Sequence, residues 1–312
     1  MEYTLCNICG NSGVQPLYTI SDYLLERSDI SSSFVKCENC GLIFQNPRPS
    51  INEINQHYPS EYESYLSKQD IENASWLLKE AIRYGIKKRG RFITRYKKSG
   101  RLLDIGCASG LFLNGMREQG NWELYGVEPN EYAAKIAQEQ YNLNVKIGLL
   151  EEAEYPDRFF DVVTLWDVLE HLHDPKAQMR EIHRILKPDG FIIFRVPNAN
   201  SFDAKIFKHY WAGLDAPRHL YVFTFDTLNK LLTSTGFRII NKNTNSGSYP
   251  TFLISLRFYM VGNRTSRIVK QWILKILSHP ICRLLTAPLF FIISISSRGP
   301  QMVISAGIQG SS

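Results

Sequence analysis

A chain of 312 residues that is 44% hydrophobic, 12% aromatic and 21% charged has the makeup of one large or two smaller globular domains, which excludes wholesale disorder, a collagen-like repeat and a multi-span membrane protein. The net charge of +6 is unevenly spread: residues 201–312 hold 13 basic and 3 acidic side chains, whereas residues 1–200 hold 23 basic and 27 acidic. Such a gradient fits an anionic partner, a membrane surface or simply a solvated basic face.

The opening residues, MEYTLCNICG, lack the basic segment and apolar core of a secretory signal, so a cytoplasmic chain is expected. Four of the six cysteines stand in two pairs of identical spacing, Cys6-x-x-Cys9 and Cys37-x-x-Cys40, each followed by glycine. In a reducing compartment this spacing points to metal binding, and the glycine turn lets backbone amides face the sulfurs. Four thiolates leave a zinc ion no open position, so residues 1–49 read as a zinc-ribbon-like module with a structural Zn2+. Residues 50–68 are polar with three tyrosines and read as a linker or lid. The apolar spacing of residues 71–98 predicts a long helix, bent or broken near Gly85 and Gly90, which completes a segment over 50–99.

From residue 100 the texture changes to short apolar runs alternating with helical patterns. RLLDIG, WELYGVE, NVKIG, FDVVTLW and GFIIFRVPN read as strands, and LFLNGMREQ, EYAAKIAQEQY and PKAQMREIHRILK as helices. Regular alternation implies a parallel sheet covered on both faces. A further helix is expected over 225–234, then the strand GFRIINK, an apolar basic helical insertion over 248–299, and a last core strand and tail over 300–312. The first of these strands ends in Leu102-Leu103-Asp104-Ile105-Gly106-Cys107-Ala108-Ser109-Gly110, where glycine directly after a strand allows a close approach to a ligand. This loop is neither a dinucleotide fingerprint nor a P-loop, and its acid suits a cationic ligand better than a pyrophosphate. Glu128, 24 residues on and at the next strand tip, is placed to accept from ribose hydroxyls.

LLDIGCASG, GVEPN, FDVVTLWDVLEHLHDP and RILKPDGFIIFRVPN resemble, in order and spacing over residues 100–242, the successive motifs of class I S-adenosylmethionine-dependent methyltransferases. The paired cysteines, with PRHLYVFT and TSTGF after the core, are similar to a subgroup found in sugar and polysaccharide pathways. The resemblance implies a doubly wound, mostly parallel seven-stranded Rossmann-like sheet over 100–247 that binds S-adenosyl-L-methionine. It assigns Asp104 and Gly106 to the methionine moiety, Cys107 to the same cofactor-binding loop, Gly110 to close packing at the helix start, Glu128 to the ribose, and Pro129 and Asn130 to the adenine. Leu149 and Leu150 are expected against the adenine ring, and Trp166 and Asp167 at the reacting end. Ala108 stands where many members have glycine, and no acid occupies the place of Leu149 or Leu150 that often meets the adenine amino group.

The donor carries its own leaving group, so the protein must position an acceptor and, for a hydroxyl or carbon nucleophile, remove a proton. His171 and His219 are the candidate bases because both follow expected strand tips or crevice loops, with Asp167 beside them. The same pattern leaves two further options: histidines that merely fix the loops, or a divalent ion held by Asp167, Glu170 and His171. Tyr58, Tyr62, Tyr65, Trp211 and Tyr221 could cover an acceptor. At the C-terminal end, ICRLLTAPLFFIISI is too short and interrupted for a span of roughly 20 residues. Its apolar residues, with the basic ones before them, predict either packing on the sheet, a homodimer, or peripheral contact with the inner membrane face through 257–296. Methyl transfer to a small molecule, a sugar or glycan intermediate in particular, is the expected function. RNA methylation and a non-catalytic cofactor-binding role are the rivals; LWDVLEH in place of an Asn/Asp-Pro-Pro-aromatic signature argues against a nucleic-acid base as acceptor.

Overall fold

The computed structural model describes residues 1–58, 68–244 and 248–310, so Tyr62 and Tyr65 lie outside the described residues. The cysteine-bearing N-terminal part forms a hairpin of β1 (Val14–Asp22) and β2 (Arg27–Cys37), with the short β3 (Ile43–Gln45) beside it. The helical segment that follows is interrupted at residues 74–75, between α1 (Lys68–Asn73) and α2 (Trp76–Thr94), where Ser75 caps α2 by accepting from the Leu78 amide. The expected break near Gly85 and Gly90 does not occur. Both glycines stay inside α2, and Gly90 lies directly against the Gln119 side chain.

The core then runs β4 (Ser99–Ile105), α3 (Leu111–Met116), β5 (Asn121–Glu128), α4 (Glu131–Tyr141), β6 (Asn144–Ile147), β7 (Phe160–Trp166), α5 (Pro175–Ile185) and β8 (Leu186–Pro197). After these come α6 (Phe202–Phe207), β9 (Tyr221–Val222), α7 (Phe225–Ser234), β10 (Phe237–Asn243), three helices α8 (Ser248–Gly262), α9 (Arg267–Leu277) and α10 (Pro280–Ile295), and β11 (Gln301–Ile308). Caps explain several of these boundaries: Asn130, Asp174 and Thr224 each accept from the amide three residues on, and Pro175 opens α5. Helix α3 is shorter than its pattern suggested. Helix α5 stops at Ile185 because Leu186 and Lys187 already belong to β8.

Seven strands form one sheet in the order β10-β11-β8-β7-β4-β5-β6, parallel except for β11, which is antiparallel to both neighbours. Adjacent side chains on a strand point to opposite faces. Leu102 accordingly packs with Phe92, Ile93, Phe112 and Leu113 on one face, while Leu103 packs with Met179, Ile182 and Leu228 on the other. Every residue of β7 is buried, as expected for a central parallel strand. The chain moves from β4 through β5 to β6 in one direction and from β7 to β8 in the other. The carboxyl ends of β4 and β7 therefore frame the crevice in which such sheets bind ligands.

A second sheet, β1-β2-β3-β9, joins the N-terminal hairpin to Tyr221–Val222. The cysteine-bearing part is thus completed by a strand that follows the Pro217-Arg218-His219 loop.

Candidate active site

The loop after β4 is shaped by its own backbone. The amides of Gly106 and Cys107 both donate to the Val127 carbonyl, at 2.8 and 3.2 Å, which ties the loop to β5. Gly106 has φ +68°, and a Cβ there would come within 2.6 Å of a Val168 methyl, so only glycine lets the tips of β4 and β7 meet this closely. Gly110, at φ +78°, sits against Ala137 and Leu143 in the same way, which fits its expected packing role. The Cys107 side chain points into the core beside Gly126 and Leu113, so only its backbone borders the crevice.

Two buried carboxylates mark this end. Glu128 accepts from the Ala108 and Asn130 amides, both at 2.9 Å, and burial still raises its carboxyl above the ordinary glutamate range. Asp104 accepts from the Thr164 hydroxyl at 2.6 Å, its one hydrogen bond among the described residues. Burial pushes Asp104 up to about 7 against the pull of Thr164 and Arg89. Such a carboxyl lacks the partners that would hold it charged, as expected where a cationic ligand completes the set. Trp166, edge-on to Phe112, leaves its buried indole Nε1 without a partner. An orphaned donor, an underpartnered acid and a glycine cradle together fit S-adenosylmethionine. Leu149 is 41% exposed beside this region, whereas Leu150 is 2% exposed and packs its side chain in the core with Ala153 and Tyr155, which leaves its backbone for the expected contact.

Beyond β7 the construction changes. Asp167, at φ +59°, is held by Arg195 of the neighbouring strand, whose Nε donates to Oδ1 at 2.8 Å. Burial works to raise the Asp167 carboxyl, yet Arg195, with Arg89 behind it, keeps it below its ordinary value. A carboxylate so engaged is a poor proton acceptor. His171 and His219 instead lie together, ring centroids 4.5 Å apart at 78°. The His171 Nδ1 lies 3.1 Å from the Arg218 carbonyl and 2.8 Å from the Tyr58 hydroxyl, and the His219 Nδ1 lies 2.9 Å from the Gly213 carbonyl. A carbonyl only accepts, so these bonds place the proton on Nδ1 in both rings and leave Nε2 with the lone pair. Burial, reinforced by His219, pushes His171 down to about 3, which keeps it neutral.

Glu170 is fully buried, and neither of its oxygens has a hydrogen-bond partner. One ligand atom each from Glu170, His171 and His219 falls within 4.8 Å of the others, a group able to receive a cation; Asp167 is drawn away from it by Arg195. Tyr58 is the expected lid aromatic that reaches the site. Trp211 and Tyr221 are buried instead, Tyr221 donating to the His173 carbonyl. Of the other five histidines, His173 bonds the Pro49 carbonyl, His183 packs on Phe237, His209 lies on Tyr210 and His279 caps α10, while His57 keeps a buried Nδ1 without a hydrogen-bond partner among the described residues.

The loop carrying His219 is fixed from the N-terminal sheet. Arg218 is 0% exposed and spans Asp22 of β1 and Asp215, donating at 2.8 Å to each. Gln45 of β3 donates to the carbonyls of Pro217 and His219, at 2.9 and 2.7 Å. The four cysteine sulfurs also converge within 4.8 Å, with Cys6–Cys40 at 3.4 Å and Cys9–Cys37 at 3.6 Å. These separations exceed a disulfide of about 2.05 Å and approach the edge of about 3.8 Å that a zinc–sulfur bond of about 2.3 Å implies. Backbone amides of Ile8 and Cys9 face Cys6, as the knuckle reading requires.

Sequence reasoning passed over Arg89, Arg195, Arg218, Asp22 and Gln45. Arg195 carried a signal, a charge inside the apolar run GFIIFRVPN; Arg89 in the basic helix surface and Asp22 in the hairpin carried none.

The methyltransferase-domain family model matches residues 77–242. An uncharacterized methyltransferase of Schizosaccharomyces pombe is 28% identical over 150 residues, 44% of this chain and 50% of its own length. A ubiquinone biosynthesis O-methyltransferase of Neisseria meningitidis is 32% identical over 109 residues, 32% of this chain and 45% of its own. The chain thus spans about half the length of the curated relatives it matches. Among solved structures, the (4+2)-cyclase SpnF superposes with a TM-score of 0.53 at 18% identity, over 84% of this chain and 97% of that one, which shows the shared fold. With more than half of its length inside the family model and the buried acids and glycine loop in place, the chain belongs to the methyltransferase-domain family.

Proposed function

We propose that the chain methylates a hydroxyl oxygen of a small-molecule acceptor, with His219 accepting the proton and His171, kept neutral by burial, orienting beside it. The observation that carries this reading is the pair of Nδ1 atoms pinned by main-chain carbonyls, which leaves both Nε2 lone pairs free for an acceptor. S-adenosylmethionine supplies the electrophilic methyl and its own leaving group when bound. Asp104, Gly106, Glu128 and Trp166 would hold it, with Arg89 the nearby cation for its carboxylate. Asp167, fixed by Arg195, serves as a positioning group. The relatives named for ubiquinone biosynthesis favour oxygen over nitrogen or carbon; a sugar or glycan acceptor rests on the cysteine pairs and PRHLYVFT alone. Purified protein given S-adenosylmethionine with hydroxylated sugars or phenols should release S-adenosylhomocysteine in proportion to a methyl ether product. No release with any acceptor pool would leave the non-catalytic reading.

A second reading has the support of the orphaned Glu170 carboxyl: a divalent cation at Glu170, His171 and His219 that acidifies the acceptor hydroxyl. Chelator treatment separates the two, because activity unaffected by chelation rejects the ion.

The four cysteines, on the same terms, are proposed to hold one structural zinc. Replacing Cys37 by serine should lower bound zinc below one equivalent per chain; full retention would sink the assignment.

A further inference from the structure

Helices α9 and α10 carry their apolar side chains on the outside. On α9, Ile268, Trp272 and Ile276 recur every fourth residue with Val269 beside them, all exposed, and no residue of the helix is buried. On α10, Ile281, Leu284, Leu285, Leu289 and Ile292 form a second exposed stripe, Leu284 and Leu285 being 74% and 75% exposed. The opposite side of α10 is already used, since Phe290 packs on Tyr249 and Phe252 of α8. The stripe is therefore not the inward face of an ordinary core helix.

The charges around it have one sign. No Asp or Glu occurs after Asp226. Arg257 and Lys270 are held by Glu26 at the turn of the β1–β2 hairpin, which docks the helices on the body. Arg264, Arg267, Lys275 and Arg283 form no ion pair among the described residues. A second copy of such a surface would bring unpaired cations against cations. No single helix is long and apolar enough to cross a membrane, and α9 meets α10 at a bend of 70°. An outward apolar stripe flanked by cations and folded back on itself suits a surface that is apolar below and anionic above.

We propose that α9 and α10 seat the protein on an anionic lipid bilayer, with Trp272, Leu284 and Leu285 entering the interface. Helix α8 links this surface to the site: the Ala212 amide donates to Ser255 at 3.0 Å, and Gly213 next to it holds His219. A lipid-borne acceptor would then reach the crevice from that edge, an extension that rests on the proposed methyl transfer, whereas the docking itself does not.

The test is co-sedimentation of the full chain with phosphatidylglycerol-containing vesicles at low salt. Binding should be stronger than to phosphatidylcholine alone and should weaken with salt. Arg267→Gln and Lys275→Gln should each cost about fivefold in partitioning, equivalent to about 1 kcal/mol. Leu284→Glu with Leu285→Glu should cost more than tenfold, with S-adenosylhomocysteine binding and the thermal transition preserved as evidence of folding. Brominated lipid should quench fluorescence in the parent chain and less in Trp272→Phe. Protein left in the supernatant, full binding by the double glutamate variant, or a dimer broken by that variant without vesicle binding would each overturn the proposal. Acceptor methylation is read separately, so failure of one leaves the other standing.

Discussion

The two halves of the crevice are built by opposite means. The donor half is made almost wholly by residues 104–130, where one backbone amide from each of two neighbouring loops satisfies Glu128 and one carbonyl collects two amides. The acceptor half draws on Tyr58, Asp167–His171, Arg195 and Gly213–His219, held by Asp22 and Gln45 from the other sheet. A local loop forms as soon as its strand is placed. An assembly of distant side chains is complete only when both sheets have docked, so damage to it should leave donor binding intact.

The largest effect should come from the acceptor half itself. His219→Ala is expected to lower turnover by about 10²–10⁴-fold, the range for loss of a positioned base, while S-adenosylhomocysteine affinity stays nearly unchanged. Full activity in both His171→Ala and His219→Ala would remove base catalysis from the account. Next in size is Arg218→Met. It leaves Asp22 and Asp215 without the cation that both share and should cost about 3–5 kcal/mol in urea unfolding. If the halves are as separable as their construction implies, the folded fraction of this variant still binds S-adenosylhomocysteine. A parallel loss of binding would show the donor loop to depend on the N-terminal sheet.

The same contrast explains what could be read from the sequence. The places of Asp104, Gly106, Gly110 and Glu128 in the fold were legible because strand, turn and helix signals fall in register within one continuous stretch. The other strands and helices of the core followed from alternation, and a mostly parallel sheet of seven from the family resemblance; the reversal of β11 against both neighbours was not legible. Arg218 was not legible, since its partner Asp22 is 196 positions away and no local pattern distinguishes a buried arginine from a solvated one beside a histidine. The burial of the Leu150 side chain was not legible either, because neighbouring apolar residues such as Leu149 and Leu150 look alike in sequence whether they face the crevice or the core. Gly85 and Gly90 misled because a helix tolerates glycine, packed against Gln119 at Gly90 and in open space at Gly85, and the break fell instead at Ser75, a capping residue.

The smallest effect is graded with pH and belongs to the donor half. Asp104 titrates at about 7 in the folded chain because it is buried, against 3.8 as the ordinary value. An acid whose folded value is raised binds its proton more tightly when folded, so the free protein loses stability as pH rises from about 4 to 7 and no further above that. A cationic donor favours the carboxylate and reverses this. Affinity for S-adenosylmethionine should therefore climb with pH up to about 7, by at most about tenfold per unit, and then level off. Asp104→Asn keeps an oxygen for the Thr164 hydroxyl but cannot ionise. It should flatten that climb, weaken binding above pH 7, and raise the urea midpoint of the free protein at pH 8 but not at pH 4. A flat profile in the parent chain would mean that Asp104 meets no cation. The donor half would then owe its selectivity to Glu128 and the glycine loop, and the division between the two halves would narrow to geometry alone.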